Sequence, residues 1–111
     1  AQIRAEVDAT PGATDTPGRL LFSTVPDGSA TLSERMRIDN KGNVVINTAA
    51  IATNATDGFL YIPTCAGTPT GTPTAYTGLV PMIYDSTNDK LYIYSTTWKQ
   101  PKVTAVAAIW S

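Results

Sequence analysis

What most limits the folds open to this chain is its punctuation. Eight glycines and eight prolines are scattered through 111 residues, so few windows escape interruption and none reads as a long helix. Between the breaks lie short runs of β-branched and aromatic residues, the composition of strands. The pattern predicts an all-β protein of short strands and hairpins.

Along the chain the expected strands come in two groups. AQIRAEVDAT alternates Ile3, Ala5 and Val7 with Arg4, Glu6 and Asp8, which suits a half-buried strand, with a helix over residues 1–8 as the alternative. Pro11-Gly12 and Pro17-Gly18 bracket a turn-rich loop, and RLLFST follows as a strand ended by Pro26-Asp27-Gly28. In ERMRIDNKGNVVI, Met36 and Ile38 share one face and Arg35, Arg37 and Asp39 the other. Asn40-Lys41-Gly42-Asn43 then reverses the chain, and Val44 and Ile46 return on one face. RLLFST, ERMRID and VVI predict a three-stranded meander with one apolar face, within a first module over residues 1–48.

A second module is expected over residues 49–111. Residues 47–58 read as a connector with a helical turn at TAAIA, and FLYIP as a strand. Residues 64–78, TCAGTPTGTPTAYTG, have the Thr-Pro and Gly spacing of a linker with extended backbone, either an ordered surface loop or a mobile one. LVPMIYD and KLYIYST form a hairpin across STND, with TTWKQP as a polar turn. The tail KVTAVAAIWS is apolar on both faces if extended, which requires cover on both sides.

Several chemistries have little to work with. There is no histidine, so the commonest general base and metal ligand are missing. Cys65 is the single cysteine and has neither a disulfide partner in the chain nor a histidine to activate it. Eight basic and nine acidic residues give a net charge of −1, with no basic stripe for nucleic acid. No apolar run approaches the ~20 residues of a membrane span. No carboxylate spacing marks a glycosidase pair, and no cofactor, metal or catalytic group is expected. Arg35, Arg37 and Asp39 could meet an acidic glycan or phosphate, or form a salt-bridged strand face. Asp85, Asn88 and Asp89 could offer oxygens to Ca²⁺, or serve as turn residues. The aromatics are the better recognition candidates: Tyr92, Tyr94 and Trp98 near the last hairpin and Tyr76 in the Thr/Pro loop. Facing outward they would stack on sugars; facing inward they would pack an interface.

Residues 1–46, above all TPGRLLFST, the turn around PDGS and ERMRIDNKGNVVI, resemble a module repeated in bacteriophage tail-fibre and related virion fibre proteins. GFLYIPTCAGTPTGTP and VPMIYDSTNDKLYIYSTTWKQ resemble a C-terminal module of phage structural proteins. The resemblance implies an intertwined homotrimeric β fibre segment with a small C-terminal β knob, on the exterior of a virion. It implies as partners the chain's own copies, other virion fibre or capsid proteins and bacterial surface polysaccharide. Met36, Ile38, Val44, Ile46, Val103, Val106, Ile109 and Trp110 are the expected trimer contacts. Pooling thin cores across three chains would offset the marginal stability of isolated hairpins. The alternative is a structural role alone: a capsid- or neck-decorating fibre, or a filament subunit without a receptor.

Overall fold

Alternation in the sequence becomes two small sheets, the first wholly antiparallel and the second mixed. A computed structural model describes residues 1–102, which carry eight strands in two four-stranded sheets and no helix. The protein is all-β. The chain divides into two units, one spanning Ala1–Leu60 and one beginning at Tyr61. The expected contacts Val103, Val106, Ile109 and Trp110 lie outside the described residues.

The first unit holds β1 (Gln2–Val7), β2 (Gly18–Thr24), β3 (Ser33–Ile38) and β4 (Val44–Ile46), paired in chain order and all antiparallel. The strand expected at the N-terminus therefore forms, and the helical alternative does not. Register decides what each face presents, because residues directly opposite in an antiparallel ladder point the same way. Ile3, Phe22, Met36 and Ile46 form one cross-strand row, and Ala5, Leu20, Ile38 and Val44 form the next on the same face. That face is wholly apolar along both rows. The opposite face carries Arg4, Leu21, Arg37 and Val45 in one row and Glu6 with Arg19 in another.

Burial is distributed against expectation. In this unit the buried hydrophobic residue is Leu21, 3% exposed, on the charged face, where the aliphatic stems of its register partners Arg4 and Arg37 flank it. The apolar face is only partly covered, with Ile3 at 73% and Val44 at 62% exposure and Phe22, Met36 and Ile38 half-buried. A β-bulge between Phe22 and Ser23 shifts the pairing so that Arg35 is the extra residue of β3.

Turn chemistry sets the β3–β4 reversal. The Asp39 carboxylate accepts from the backbone N–H of Lys41 and Asn43, both at 2.9 Å, and from Asn43 Nδ2 at 3.1 Å. Gly42 takes φ 84°, a left-handed position that glycine occupies without steric cost.

The second unit holds β5 (Thr64–Cys65), β6 (Met82–Asp85), β7 (Lys90–Ser95) and β8 (Thr97–Lys99). From residue 48 onward, in both units, the elements differ from the sequence expectation. FLYIP forms no strand, and Phe59, Leu60 and Tyr61 are exposed. TAAIA forms no helical turn. The hairpin strand starts at Met82 rather than Leu79, because Pro81 has no N–H to donate to the ladder; its carbonyl instead accepts from Tyr94 N–H at 3.2 Å. Two segments read as linker and turn contribute strands: Thr64-Cys65 pairs parallel with β6, and Thr97–Lys99 pairs antiparallel with β7.

One face of this second sheet carries Ile83, Asp85, Tyr92, Tyr94 and Trp98. It is the better covered face: Tyr92 is 6% exposed and Asp85 fully buried. The cover includes the loop 66–81, which is anchored to that face at Gly67 and Gly71. The other face carries Met82, Tyr84, Leu91 and Ile93.

Candidate functional site

Arg4 and Glu6 of β1, Asp8 at its end and Arg19 of β2 pair with one another. Arg19 donates to Glu6 and, at 3.0 Å, to Asp8, while Arg4 meets Glu6 at 2.8 Å. Asp8 also accepts from the backbone N–H and side-chain Nδ2 of Asn40, each at 2.8 Å, tying the end of β1 to the β3–β4 turn. The Asn40 backbone N–H is the main reason the Asp8 carboxyl sits below its usual range; burial pushes the other way, and the Arg19 guanidinium adds to the lowering. The Arg19 hydrogen bond likewise lowers Glu6. These contacts lock strand ends rather than build a catalytic group.

The Arg35/Arg37/Asp39 face does not converge on an anion. Arg37 forms a two-pronged pair with Glu34, both bonds at 2.8 Å, and Arg35 Nε donates to Thr24 Oγ1 at 2.9 Å. Asp39 is consumed by its own turn. Its carboxyl is lowered first by the Asn43 backbone N–H, then by the Asn43 side chain.

Asp85 likewise serves structure. Its Oδ1 accepts from the backbone N–H of Gly67 at 3.0 Å, Thr87 at 2.9 Å and Asn88 at 3.2 Å, and its Oδ2 from Asn88 Nδ2 at 2.8 Å. Burial pushes this carboxyl up, but the hydrogen bonds, Asn88's foremost, outweigh it, and the net shift is downward. A carboxylate surrounded by N–H donors has its lone pairs already engaged and turns no free oxygen toward a cation. Asp89 instead accepts from Tyr84 Oη at 3.3 Å. Cys65 is half-buried, its thiol donating to the Gly67 carbonyl at 3.3 Å.

The aromatic candidates separate into three environments. Tyr92 is buried and offers no ring face to a ligand. Tyr94 and Trp98 are half-buried register partners, packed edge to face with centroids 5.2 Å apart at 74°. Trp98 Nε1 donates to the Gly71 carbonyl at 2.7 Å, so the indole holds the Thr/Pro loop against the sheet. Only Tyr76 of the four stands well into solvent, 68% exposed.

Tyr76 and Tyr94 border one cleft of about 380 Å³. Its lining comes from the loop around Pro73 and Thr74, the stretch ending at Pro81, and the β7–β8 tip at Ser95 and Thr96. Two tight turns shape it. Leu79 N–H donates to the Tyr76 carbonyl at 2.9 Å across a turn in which Gly78 takes φ 76°. At the other side Ser95 pairs with Thr97, so the β7–β8 reversal passes through Thr96 alone, at φ 66°.

Sequence reasoning singled out Tyr76 and Tyr94 but missed Thr96. Its signal was the run Ser95-Thr96-Thr97, where β-branched residues occupy a reversal that glycine or asparagine ordinarily fills. Comparisons with protein-family models, with curated proteins and with solved structures give no match.

Proposed function

We propose that this chain is a non-enzymatic component of a bacteriophage virion fibre, which self-associates as a homotrimer and meets the bacterial surface, with other fibre or capsid proteins as neighbours. The observation that carries the proposal is the two-row apolar face of β1–β4. A monomer would leave Ile3, Leu20, Val44 and Ile46 exposed to water and Phe22, Met36 and Ile38 only half-covered, and contiguous patches of that kind mark association surfaces. The residues expected to join copies, Met36, Ile38, Val44 and Ile46, all belong to it. Many polar side chains of the strands and turns pair internally, as Arg19 with Glu6, Arg37 with Glu34 and Asp85 with Asn88 do, which favours a load-bearing role over chemistry.

Light scattering tests the assembly directly. The full chain should give a trimer mass, three times 11.7 kDa, and Met36→Lys should yield protomers by placing a charge in the apolar row. A wild-type monomer would refute the proposal.

The burial of Tyr92 and the internal engagement of Trp98 favour a second reading, a decorating fibre with no receptor. Glycan or cell binding by the trimer separates the two.

A further inference from the structure

The Tyr76–Tyr94 cleft has three properties that together specify a ligand. Among the described residues, every side chain lining it is uncharged. It displays an aromatic ring, Tyr76, largely in solvent, and its volume lies within the range of small-molecule sites. Its rim is fixed by strained backbone: a β-branched residue at φ 66° is a conformational outlier, and such strain gathers where a side chain must be held in place. The side chain so held is the hydroxyl of Thr96. Its proton is donated to the Ser95 carbonyl at 2.5 Å, which leaves the oxygen exposed as an acceptor.

We infer that this cleft binds a neutral sugar ring, whose C–H face stacks on Tyr76 and one of whose hydroxyls donates to Thr96 Oγ1. The inference rests on the surface-contact half of the proposed function and narrows it to one cleft and one chemical class. A sugar's C–H face and ring of hydroxyl donors match an aromatic wall with neutral acceptors. A uronic or sialic acid would bring a carboxylate into a cleft with no cation to receive it. An acidic peptide would meet the same obstacle.

Three measurements on the full chain test this. On an array of neutral oligosaccharides with their uronic- and sialic-acid counterparts, binding should be confined to neutral glycans. For the best of them, Tyr76→Ala should weaken affinity about tenfold, the loss expected for one stacking partner. Thr96→Gly should weaken it several-fold while leaving the thermal midpoint unchanged or raised, because glycine relieves the left-handed strain. Light scattering on the same samples keeps the outcomes apart. A trimer that binds no neutral glycan, or prefers acidic ones, overturns the cleft assignment and leaves the fibre proposal standing. Loss of trimer in Tyr76→Ala would make the cleft an interface between copies, overturning the inference. Wild-type affinity in Thr96→Gly would overturn the acceptor role.

Discussion

The hydrogen bond from Trp98 to Gly71 fastens a 16-residue loop, residues 66–81, to the second sheet, and its worth can be worked out by removing it in two stages. Trp98→Phe deletes the Nε1–H donor at 2.7 Å and keeps an aromatic ring beside Tyr94. A neutral hydrogen bond contributes roughly 0.5–1.5 kcal/mol net. Gly71 is exposed, so water can reach the released carbonyl, and the expected cost stays near 1 kcal/mol. Trp98→Ala also forfeits the edge-to-face pair, worth about 0.5–1.5 kcal/mol, together with part of the ring's burial. A fully buried Trp→Ala change costs about 3–5 kcal/mol, and a half-buried ring should lose about half of that. The ordering is therefore Trp98→Phe near 1 and Trp98→Ala near 2–3 kcal/mol. Urea unfolding at one fixed protomer concentration, followed by near-ultraviolet circular dichroism, reads both values, because association would otherwise shift the midpoints. Hydrogen exchange should show faster exchange at backbone amides of the 66–81 loop in both variants. Should Trp98→Phe match wild type in both readouts, the indole would not be what holds this loop, and the reasoning fails.

Acid should loosen the second unit through Asp85. Its folded pKa lies below the ordinary value of 3.8, so its contribution is fully present above that value and disappears as pH falls through the lower folded one. Melting curves from pH 7 downward should show a loss of stability that Asp85→Asn, already destabilised at neutral pH, shows to a smaller degree. Leu21→Ala should cost about 3 kcal/mol despite lying on the charged face, since the change opens a cavity at a residue only 3% exposed. A cost under about 1 kcal/mol, measured by the same urea unfolding, would mean that the Arg4 and Arg37 stems do not enclose it.

The first sheet was largely legible because its alternation is unambiguous. AQIRAEVDAT and ERMRID each set polar against apolar residues, and Asn40–Asn43 permits one reversal, so strand, face and partner agree there. RLLFST, apolar at Leu20, Leu21 and Phe22 in succession, declares no face, and the buried position of Leu21 was not legible. The second sheet was less so, for a physical reason. In KLYIYS both parities are apolar, and nothing local says whether Leu91 and Ile93 or Tyr92 and Tyr94 turn inward. The deciding cover is the loop 66–81, whose Thr, Pro and Gly look like linker and reveal no core pattern. Its anchoring depends on long-range donors and acceptors, Gly67 to Asp85 and Trp98 to Gly71, and neighbouring residues cannot report those. Phe59, Leu60 and Tyr61 show the converse: a run of strand-forming residues stays out of the sheets because no strand partner is supplied.

The two anchors of that loop have a consequence for how such a chain can diversify. Between Gly71 and Pro81 the backbone is held mainly by the Tyr76–Leu79 turn, while the strands on either side are fixed by pairings that do not involve it. Closing a longer loop costs only about 0.6 kcal/mol for each doubling of length. Residues 72–80 can therefore be lengthened, shortened or exchanged at small thermodynamic expense, provided Gly67 and Gly71 keep their partners. The frame would survive while the surface beside Tyr94 changes, and this segment is the natural place to graft a new specificity.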